Sequence, residues 1–272
     1  MKIIDCFNYF DEDKILELRL NILNNYVDQF VIVEAKEDHQ GNKKKLNFKI
    51  SNFKKFSKKI HYIVQNKIEI DKNLKIKKNW AKDHLRDQSQ RNYIINGIKN
   101  AADEDWIIIS DIDEIPNPKS FKFFDPKNQF AFFKQKFFYY KFNLLNITAP
   151  FWFGSRICVK KYLKSPQWLR SFKIKKRTIL NKLGFFNYQI INNGGWHFSF
   201  IKTPEQIIKK IEAFAHSEFN IKEFKNKKKI LEKIKNNKDL FDRNISYKKI
   251  NLNSSFPDYL VQNKNLYKNW II

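Results

Sequence analysis

A group of acidic residues ends a strongly apolar segment of the sequence. The segment Trp106–Ser110 reads WIIIS, and Asp111, Asp113 and Glu114 follow it. Residues two apart on an extended chain point the same way, so Asp111 and Asp113 can bind one hard divalent cation through oxygen. Two neighbouring carboxylates are unfavourable without a cation or a cationic partner. The alternative interpretation is an acidic turn that caps the strand, because a bare D-x-D arises often by chance.

The helix predicted before this strand carries a second candidate group. A 3.6-residue wheel places Asp87 and Arg91 on the N-terminal extension of its buried apolar stripe. A buried Arg needs an acidic partner, and Asp87 lies one turn earlier. The pair is either a structural ion pair or a contact to a phosphate or nucleotide. The stripe itself consists of Ile94, Ile95, Ile98 and Ala102.

The segment NNGGWHFSF, residues 192–200, combines turn residues with an alternating pattern. Alternation places Trp196 and Phe198 on one face and His197 on the other. His197 therefore faces away from the aromatic side chains, directly after a Gly-Gly pair that permits close approach of the backbone to a ligand. A structural histidine is the alternative.

Two further carboxylates are candidates for the site. Thr203-Pro-Glu-Gln predicts a helix start with a capping box. If that helix continues through Glu218, this carboxylate lies on the apolar stripe, where desolvation would raise its pKa as a general acid or base requires. Alternatively the helix ends near Ala215 and Glu218 lies on a turn. Glu34 closes the apolar segment QFVIVE and is a strand-end acid near the presumed site.

The elements that must position these residues change in type near position 120. Before it, apolar runs alternate with amphipathic segments, which is typical of a parallel sheet covered on both faces. After it, aromatic-rich strands precede a capped helix and a Lys-rich helix, so we expect one domain over 1–272, with halves 1–120 and 121–272. The predicted strands are Lys2–Tyr9, Gln29–Glu34, Ile60–Val64, Trp106–Ser110, Phe130–Phe142 and Phe151–Val159, and the predicted helices include Lys14–Leu23 and Ile221–Asn236.

Charge suggests an alternative function. The net charge is +25, and the half 121–272 carries +22 of it, so a basic nucleic-acid-binding protein without enzymatic activity is the main alternative. Only seven of the 53 basic residues are Arg, the residue that binds phosphates and base edges bidentately, which weakens that alternative. The basic half is instead expected to meet a glycan or glycolipid acceptor or an anionic membrane.

Location is predicted from what the sequence lacks. No stretch of about 18 apolar residues is present, and the N-terminus has no signal-peptide cleavage site. Two cysteines without a CxxC pairing favour a reducing compartment. We therefore expect a cytoplasmic protein, with peripheral membrane contact as an option.

Taken in order, these segments resemble glycosyltransferase family 17, the family of β-1,4-mannosyl-glycoprotein 4-β-N-acetylglucosaminyltransferase. The resemblance covers most of the chain, and the combination of DIDEIP with GWHFS is more specific than either half. It rests on DCFNYFDE at the N-terminus, then LELRLNIL, VDQFVIVEA, QRNYI, IIISDIDEIP, GGWHFSF and AFAHSEF.

The resemblance implies a GT-A type α/β fold, with a mostly parallel central sheet flanked by helices. It implies transfer of a sugar, N-acetylglucosamine in this family, from a UDP-sugar to a glycan hydroxyl with inversion. Asp111 and Asp113 would hold Mn²⁺ or Mg²⁺, with His197 as third ligand. Glu218 is the first choice for the catalytic base, and Glu114 is the second. The expected donor-binding residues are Glu34, Asp87, Arg91, Asp111 and Trp196.

The resemblance departs from the animal members in one respect. Those members are Golgi proteins with an N-terminal membrane anchor, whereas the first predicted strand here begins at Lys2. The expectation is therefore a microbial or viral enzyme that glycosylates a lipopolysaccharide, capsule or other surface glycan from the cytoplasm.

Overall fold

A central sheet of eleven strands organises the part of the chain that the structure describes. The computed structural model describes residues 1–70, 82–174 and 188–272. The strands are β1 (Ile3–Asn8), β2 (Gln29–Ala35), β3 (Ile60–Gln65), β4 (Trp106–Asp111), β5 (Glu114–Pro116), β6 (Phe130–Tyr139), β7 (Leu144–Asn146), β8 (Phe151–Trp152), β9 (Arg156–Val159), β10 (Tyr188–Ser199) and β11 (Tyr247–Lys249).

Short helices flank this sheet. The α-helices are α1 (Asp13–Leu23), α2 (Lys82–Asn92), α3 (Pro166–Ser171), α4 (Pro204–Ala213), α5 (Lys227–Lys235) and α6 (Asp258–Gln262). The 3₁₀ helices are Ile50–Phe56, Tyr93–Ile98, Pro118–Phe123, Lys160–Tyr162, Ser217–Phe219 and Lys264–Trp270. Within the described ranges, none of the helices combines the length and the apolar character needed to cross a membrane.

The sheet is mixed, so the expectation of a mostly parallel sheet is wrong. The order β3-β2-β1-β4 is parallel, but β9, β6, β7 and β11 continue the sheet with antiparallel pairings. β10 runs parallel to β6 and antiparallel to β5. A parallel pair needs a crossover of a dozen or more residues, and the short connection between β6 and β7 leaves no room for one.

The parallel part follows from its apolar sequence. Alternate residues of β1 and β2 pack on opposite faces, with Phe7 and Ile32 on the α1 side and Cys6 and Val31 on the other. Burial on both faces explains the nearly continuous apolar runs. The predicted strands of the first 120 residues and the helix Lys14–Leu23 are confirmed to within one residue at each end.

The predicted strand Phe130–Phe142 is three residues too long, because β6 ends at Tyr139, and four further predicted segments differ from the structure. The helix with Arg91 tightens into a 3₁₀ helix from Tyr93, so Ile95 and Ala102 of its predicted stripe are exposed while Ile94 and Ile98 are buried. The strand Phe151–Val159 is broken between β8 and β9, and the Lys-rich helix begins only after Asn226, whose side chain caps Lys229 N. The Asn-Asn-Gly-Gly segment is no turn, because it lies inside β10.

The Gly-Gly pair has a packing reason within β10. The register with β6 shifts between Ile191 and Gly195, and Gly195 has φ +127°, a conformation that residues with a Cβ rarely adopt. A Cβ at Gly194 would meet the backbone of Phe133 and Lys134. The irregularity lets β10 pair with both β6 and β5, which places His197 opposite Glu114.

Candidate active site

A pocket of about 290 Å³ opens where the parallel strands β1 and β4 end. Ligands of open α/β sheets bind beyond the carboxyl ends of the strands, so this is the expected position for a substrate. The pocket lining draws on both halves of the sequence, since β10 and α4 contribute as well as α2 and β4. It includes Asp87, Arg91, Asp111, Asp113, His197 and Lys210.

Two arginines hold the side chain of Asp111. Arg91 Nη2 donates to Asp111 Oδ1 at 3.2 Å, and Arg170 Nη2 donates to Oδ2 at 3.0 Å. Burial raises the pKa of Asp111, but the two guanidinium groups outweigh it and hold this pKa well below its usual range. Arg91 also pairs with Asp87 at 3.0 Å, as the spacing predicts. Asp111 is therefore an ionised carboxylate between two cations.

Glu114 is buried and accepts several hydrogen bonds. Trp152 Nε1 donates to Oε1 at 2.6 Å, and Arg170 reaches both oxygens at 2.8 and 3.1 Å. The backbone N–H of Asp111 donates to Oε2 at 3.0 Å. Burial raises the pKa of Glu114, but Arg170 lowers it by a larger amount, so the net shift of this pKa is downward. The carboxylate is well suited to orienting Arg170 and Trp152.

Asp113 lies between His197 and Lys210. His197 Nε2 is 3.7 Å from Asp113 Oδ1, and Lys210 Nζ is 3.6 Å from Oδ2. Burial lowers the pKa of Lys210, but Asp113 and Glu12 raise it more, which keeps the ammonium charged. The His197 ring stacks on Phe137 with centroids 4.6 Å apart, so its orientation is fixed by packing.

Arg19 holds the backbone of the acidic turn, residues 111–114, in place through hydrogen bonds. It is fully buried and binds both oxygens of Asp5, at 2.8 and 2.6 Å. Its Nη1 donates to the carbonyl oxygens of Asp111, Ile112 and Glu114 at 3.1, 3.1 and 2.9 Å. One residue of α1 thus determines how the turn leaves β4.

The family model for glycosyltransferase family 17 matches residues 1–269 of the 272-residue chain. The chain belongs to glycosyltransferase family 17. No curated protein matches the chain. The mixed sheet with flanking helices is consistent with a glycosyltransferase fold. Membership in this family implies a nucleotide-sugar donor and a glycan acceptor.

Of the three residues predicted to bind a cation in this family 17 protein, two have side chains that could do so. Asp113 and His197 are buried and face each other at 3.7 Å, a separation that two ligands of one cation can have. Asp111 does not fit, because each of its oxygens accepts a hydrogen bond from an arginine. Within the described residues, Asp111, Asp113 and His197 are not among the groups of three side chains whose ligand atoms lie close enough together to share one ion.

Glu34 and Trp196 lie away from the family 17 pocket. Glu34 is fully buried, and its carboxylate accepts hydrogen bonds from Lys44 at 2.6 Å and Tyr62 at 2.9 Å as well as from backbone N–H groups. Trp196 donates to the carbonyl oxygen of Ser255 at 2.9 Å and lines a separate groove. Both side chains have structural partners and do not line the pocket.

Of the two alternatives for Glu218, the continuing helix that would bury it is wrong, and a turn after a helix end near Ala215 is confirmed. α4 ends at Ala213, where Phe214 leaves the helix with an extended ψ of 170°. Glu218 lies in the 3₁₀ turn Ser217–Phe219, is exposed, and accepts a hydrogen bond from His216 Nδ1 at 2.9 Å. Partial burial raises the pKa of Glu218, but its own backbone N–H and His216 lower it more.

Sequence reasoning missed Arg19 and Arg170. Position 19 shares a helical stripe with Ile15, Leu18 and Ile22, so a charge on that stripe was a detectable signal. Arg170 gives no comparable signal, because its place depends on how α3 packs against α2.

Proposed function

We propose that the protein transfers N-acetylglucosamine from a UDP-sugar to a glycan hydroxyl, with inversion at the anomeric carbon, on a GT-A type scaffold. The observation that supports this most is the acidic turn at the strand ends, whose two aspartates face Arg91 and Lys210 in one pocket. Arg170 also pairs with Asp111, without lining the pocket itself. We assign the donor side mainly to residues 1–120 and the acceptor side to residues 121–272.

The cationic side chains would stabilise the leaving group. Departure of the nucleoside diphosphate develops negative charge on its terminal phosphate, and preorganised cations in a partly buried site stabilise such charge strongly. Arg91 and Arg170 are held in place by Asp87, Asp111 and Glu114, so they need little reorganisation during the reaction.

Asp113 and His197 would hold a Mn²⁺ or Mg²⁺ ion. Such an ion, when bound, supplies a further positive charge for the donor diphosphate. Lys210 would then share Asp113 with the ion, because its ammonium lies 3.6 Å from the same carboxylate. Asp111 acts in this proposal through the two arginines and does not contact the ion.

Neither carboxylate predicted as the catalytic base is retained in that role. Glu114 accepts hydrogen bonds from Trp152, Arg170 and a backbone N–H, and its lowered pKa makes it a weak base. Glu218 does not line the pocket. We assign Glu114 to positioning Arg170 and Trp152.

The test is a panel of UDP-sugars with and without Mn²⁺, measured for the native protein and for Asp113→Asn. We expect transfer or hydrolysis of UDP-N-acetylglucosamine by the native protein, and a loss of at least about 100-fold in D113N, comparable to removing one electrostatic group from other active sites. Asp258→Asn is the control, since Asp258 is exposed and pairs only with Lys119 in the described structure. Full activity in a folded D113N protein would refute the assignment.

A further inference from the structure

We propose that His84, His216 and Glu218 form a binding site for a divalent transition-metal ion at the mouth of the pocket. Each side chain offers one ligand atom, and these three atoms lie within 4.8 Å of one another. Among the residues that the structure describes, these are the only three histidine, cysteine or acidic side chains whose ligand atoms lie close enough together to hold one ion.

The donor set favours a borderline metal. Two imidazoles and one carboxylate form a typical ligand set for Zn²⁺, and Co²⁺ and Mn²⁺ accept the same atoms. His216 Nδ1 and Glu218 Oε1 are 2.9 Å apart, close to the spacing of about 3–3.5 Å expected for ligands about 2.1 Å from one ion. The His84 and His216 rings meet edge to face, with centroids 5.1 Å apart.

Packing brings the three side chains together from distant parts of the sequence. His84 lies in the first turn of α2, whereas His216 and Glu218 follow α4. The segment after α4 is anchored by two hydrogen bonds, from His39 N to Ala213 O at 3.1 Å and from Gln40 Nε2 to Phe214 O at 2.8 Å.

The same segment is also held by aromatic contacts. Phe219 stacks on Phe241 with centroids 4.1 Å apart, and Phe214 packs near the same ring. The metal ligands after α4 therefore sit on a backbone that is fixed from both sides, which lowers the entropy that metal binding must overcome.

The position of the site gives the ion a defined role. His84 and His216 line the pocket that contains Asp111 and Asp113, whereas Glu218 is exposed and does not line it. An ion there would connect α2 with the segment after α4 across the pocket mouth. It would also add positive charge to the wall of the pocket, which favours an anionic ligand. Its binding does not depend on the proposed transfer reaction.

The experiment is a Co²⁺ titration of the tag-free, chelator-treated full chain, followed by visible absorption and by competition with Zn²⁺. The test variants are His216→Gln and Glu218→Gln, whose side chains are 53% and 57% exposed and can be replaced without disturbing the core. His61→Gln is the matched control, because His61 lies outside the pocket and contacts the carbonyl of Gly97. Asp113→Asn reports on the other candidate cation position.

We expect a Co²⁺ absorption band in the native protein, in H61Q and in D113N. In H216Q and E218Q the affinity should fall by at least about 10-fold, a loss that even outer-shell substitutions cause at metal sites. Saturating Zn²⁺ should raise the melting temperature of the native protein but not that of H216Q. The proposal is overturned if the native protein gives no band, if both variants bind like the native protein, or if D113N alone abolishes the band.

Discussion

At the residue scale, a buried ion pair determines the geometry of the acidic turn. Arg19 and Asp5 are both fully buried, and Arg19 also donates to the hydroxyl of Ser110 at 2.5 Å. The remaining donors of Arg19 bind the carbonyl oxygens of the turn. Removing one partner of such a pair strongly destabilises a protein, because the other charge is left buried without compensation. The stability of the sheet and the shape of the turn are therefore coupled through one side chain.

Replacing Arg19 by Met should separate these two effects. We expect R19M to lose about 3–5 kcal/mol in the free energy of unfolding, because Asp5 remains buried without its partner. The double variant R19M/D5N should recover part of this stability, since it removes the unpaired charge. Sugar transfer should remain low in both, because the turn carbonyls have lost their donor. Urea unfolding and a transferase assay measure the two quantities, and restored transfer in the double variant would contradict the proposed role of Arg19.

Glu12, another single residue, makes a pH-dependent contribution to the free energy of unfolding. Its carboxylate accepts hydrogen bonds from the N–H groups of Phe10 and Asp11 and lies 3.2 Å from Lys202 Nζ. Burial raises its pKa, but Lys202, Lys210 and these hydrogen bonds lower it to about 2. A carboxylate with a lowered pKa in the folded state stabilises the protein above its unfolded pKa of about 4.3.

The pH dependence of E12Q follows from this shift. At pH 7 the variant should be less stable than the native protein by up to about 3 kcal/mol. The difference should shrink as the pH falls from about 4.5 towards about 2, because the native carboxylate becomes protonated over that range. Urea midpoints at a series of pH values measure it. Glu104→Gln, at an exposed position, serves as the control, and a difference for E12Q that stays constant with pH would exclude the mechanism.

At the element scale, the break between β8 and β9 shapes one wall of the pocket. Gly154 lies in this break, and a Cβ at this position would collide with the carboxylate of Glu114 and the indole of Trp152. Arg170 donates to the carbonyl oxygen of Gly154 and to Glu114. The break thus allows the chain to pass close to the groups that hold Arg170.

Gly154→Ala should therefore affect function more than stability alone explains. The added methyl group must displace Glu114 or Trp152, with a cost of about 1–3 kcal/mol that is typical of overpacking. Gly97→Ala is a matched control, because its Cβ would collide with Val31 away from the pocket. Both variants should be less stable in urea, but only G154A should lose transfer activity at a temperature where both are folded. Equal activities would refute this role of the break.

The same break shows what the sequence could predict about elements. β1, β2 and β4 are predictable because burial on both faces leaves a continuous apolar run, and the end of β4 then locates Asp111 and Asp113. The need for a glycine at position 154 is not predictable in this way, because a Cβ there would collide with Glu114, a residue 40 positions earlier. The end of α4 likewise depends on aromatic contacts around Phe214 that local periodicity does not contain.

At the scale of the whole molecule, the positive charge is partly neutralised by local pairs. On α5, Lys227 pairs with Glu205 at 2.5 Å, and Lys229 pairs with Glu223 at 3.0 Å. Lys228 and Lys235 of the same helix are exposed. Exposed ion pairs contribute little stability, but they reduce the field that a charged partner experiences. The five lysines of α5 therefore overstate the attraction of this helix for an anionic surface.

A vesicle experiment tests how much attraction remains. We expect the protein to sediment with vesicles of acidic phospholipid at low ionic strength and to be released at about 0.5 M salt, where the Debye length is only about 4 Å. Neutral vesicles should not bind it. Replacing Lys228 and Lys235 by Gln should weaken binding by roughly fivefold per residue, from a contribution of about 1 kcal/mol for each Lys near the surface.

The control pair is Lys54→Gln with Lys58→Gln, two exposed lysines in the nearly neutral first half of the chain. If the C-terminal half faces the membrane, the control pair should change binding far less than the α5 pair does. An equal loss in both pairs would mean that net charge alone drives association, and α5 would then have no special orientation towards the surface. Binding that persists at high salt would exclude an electrostatic contact, since screening must abolish it.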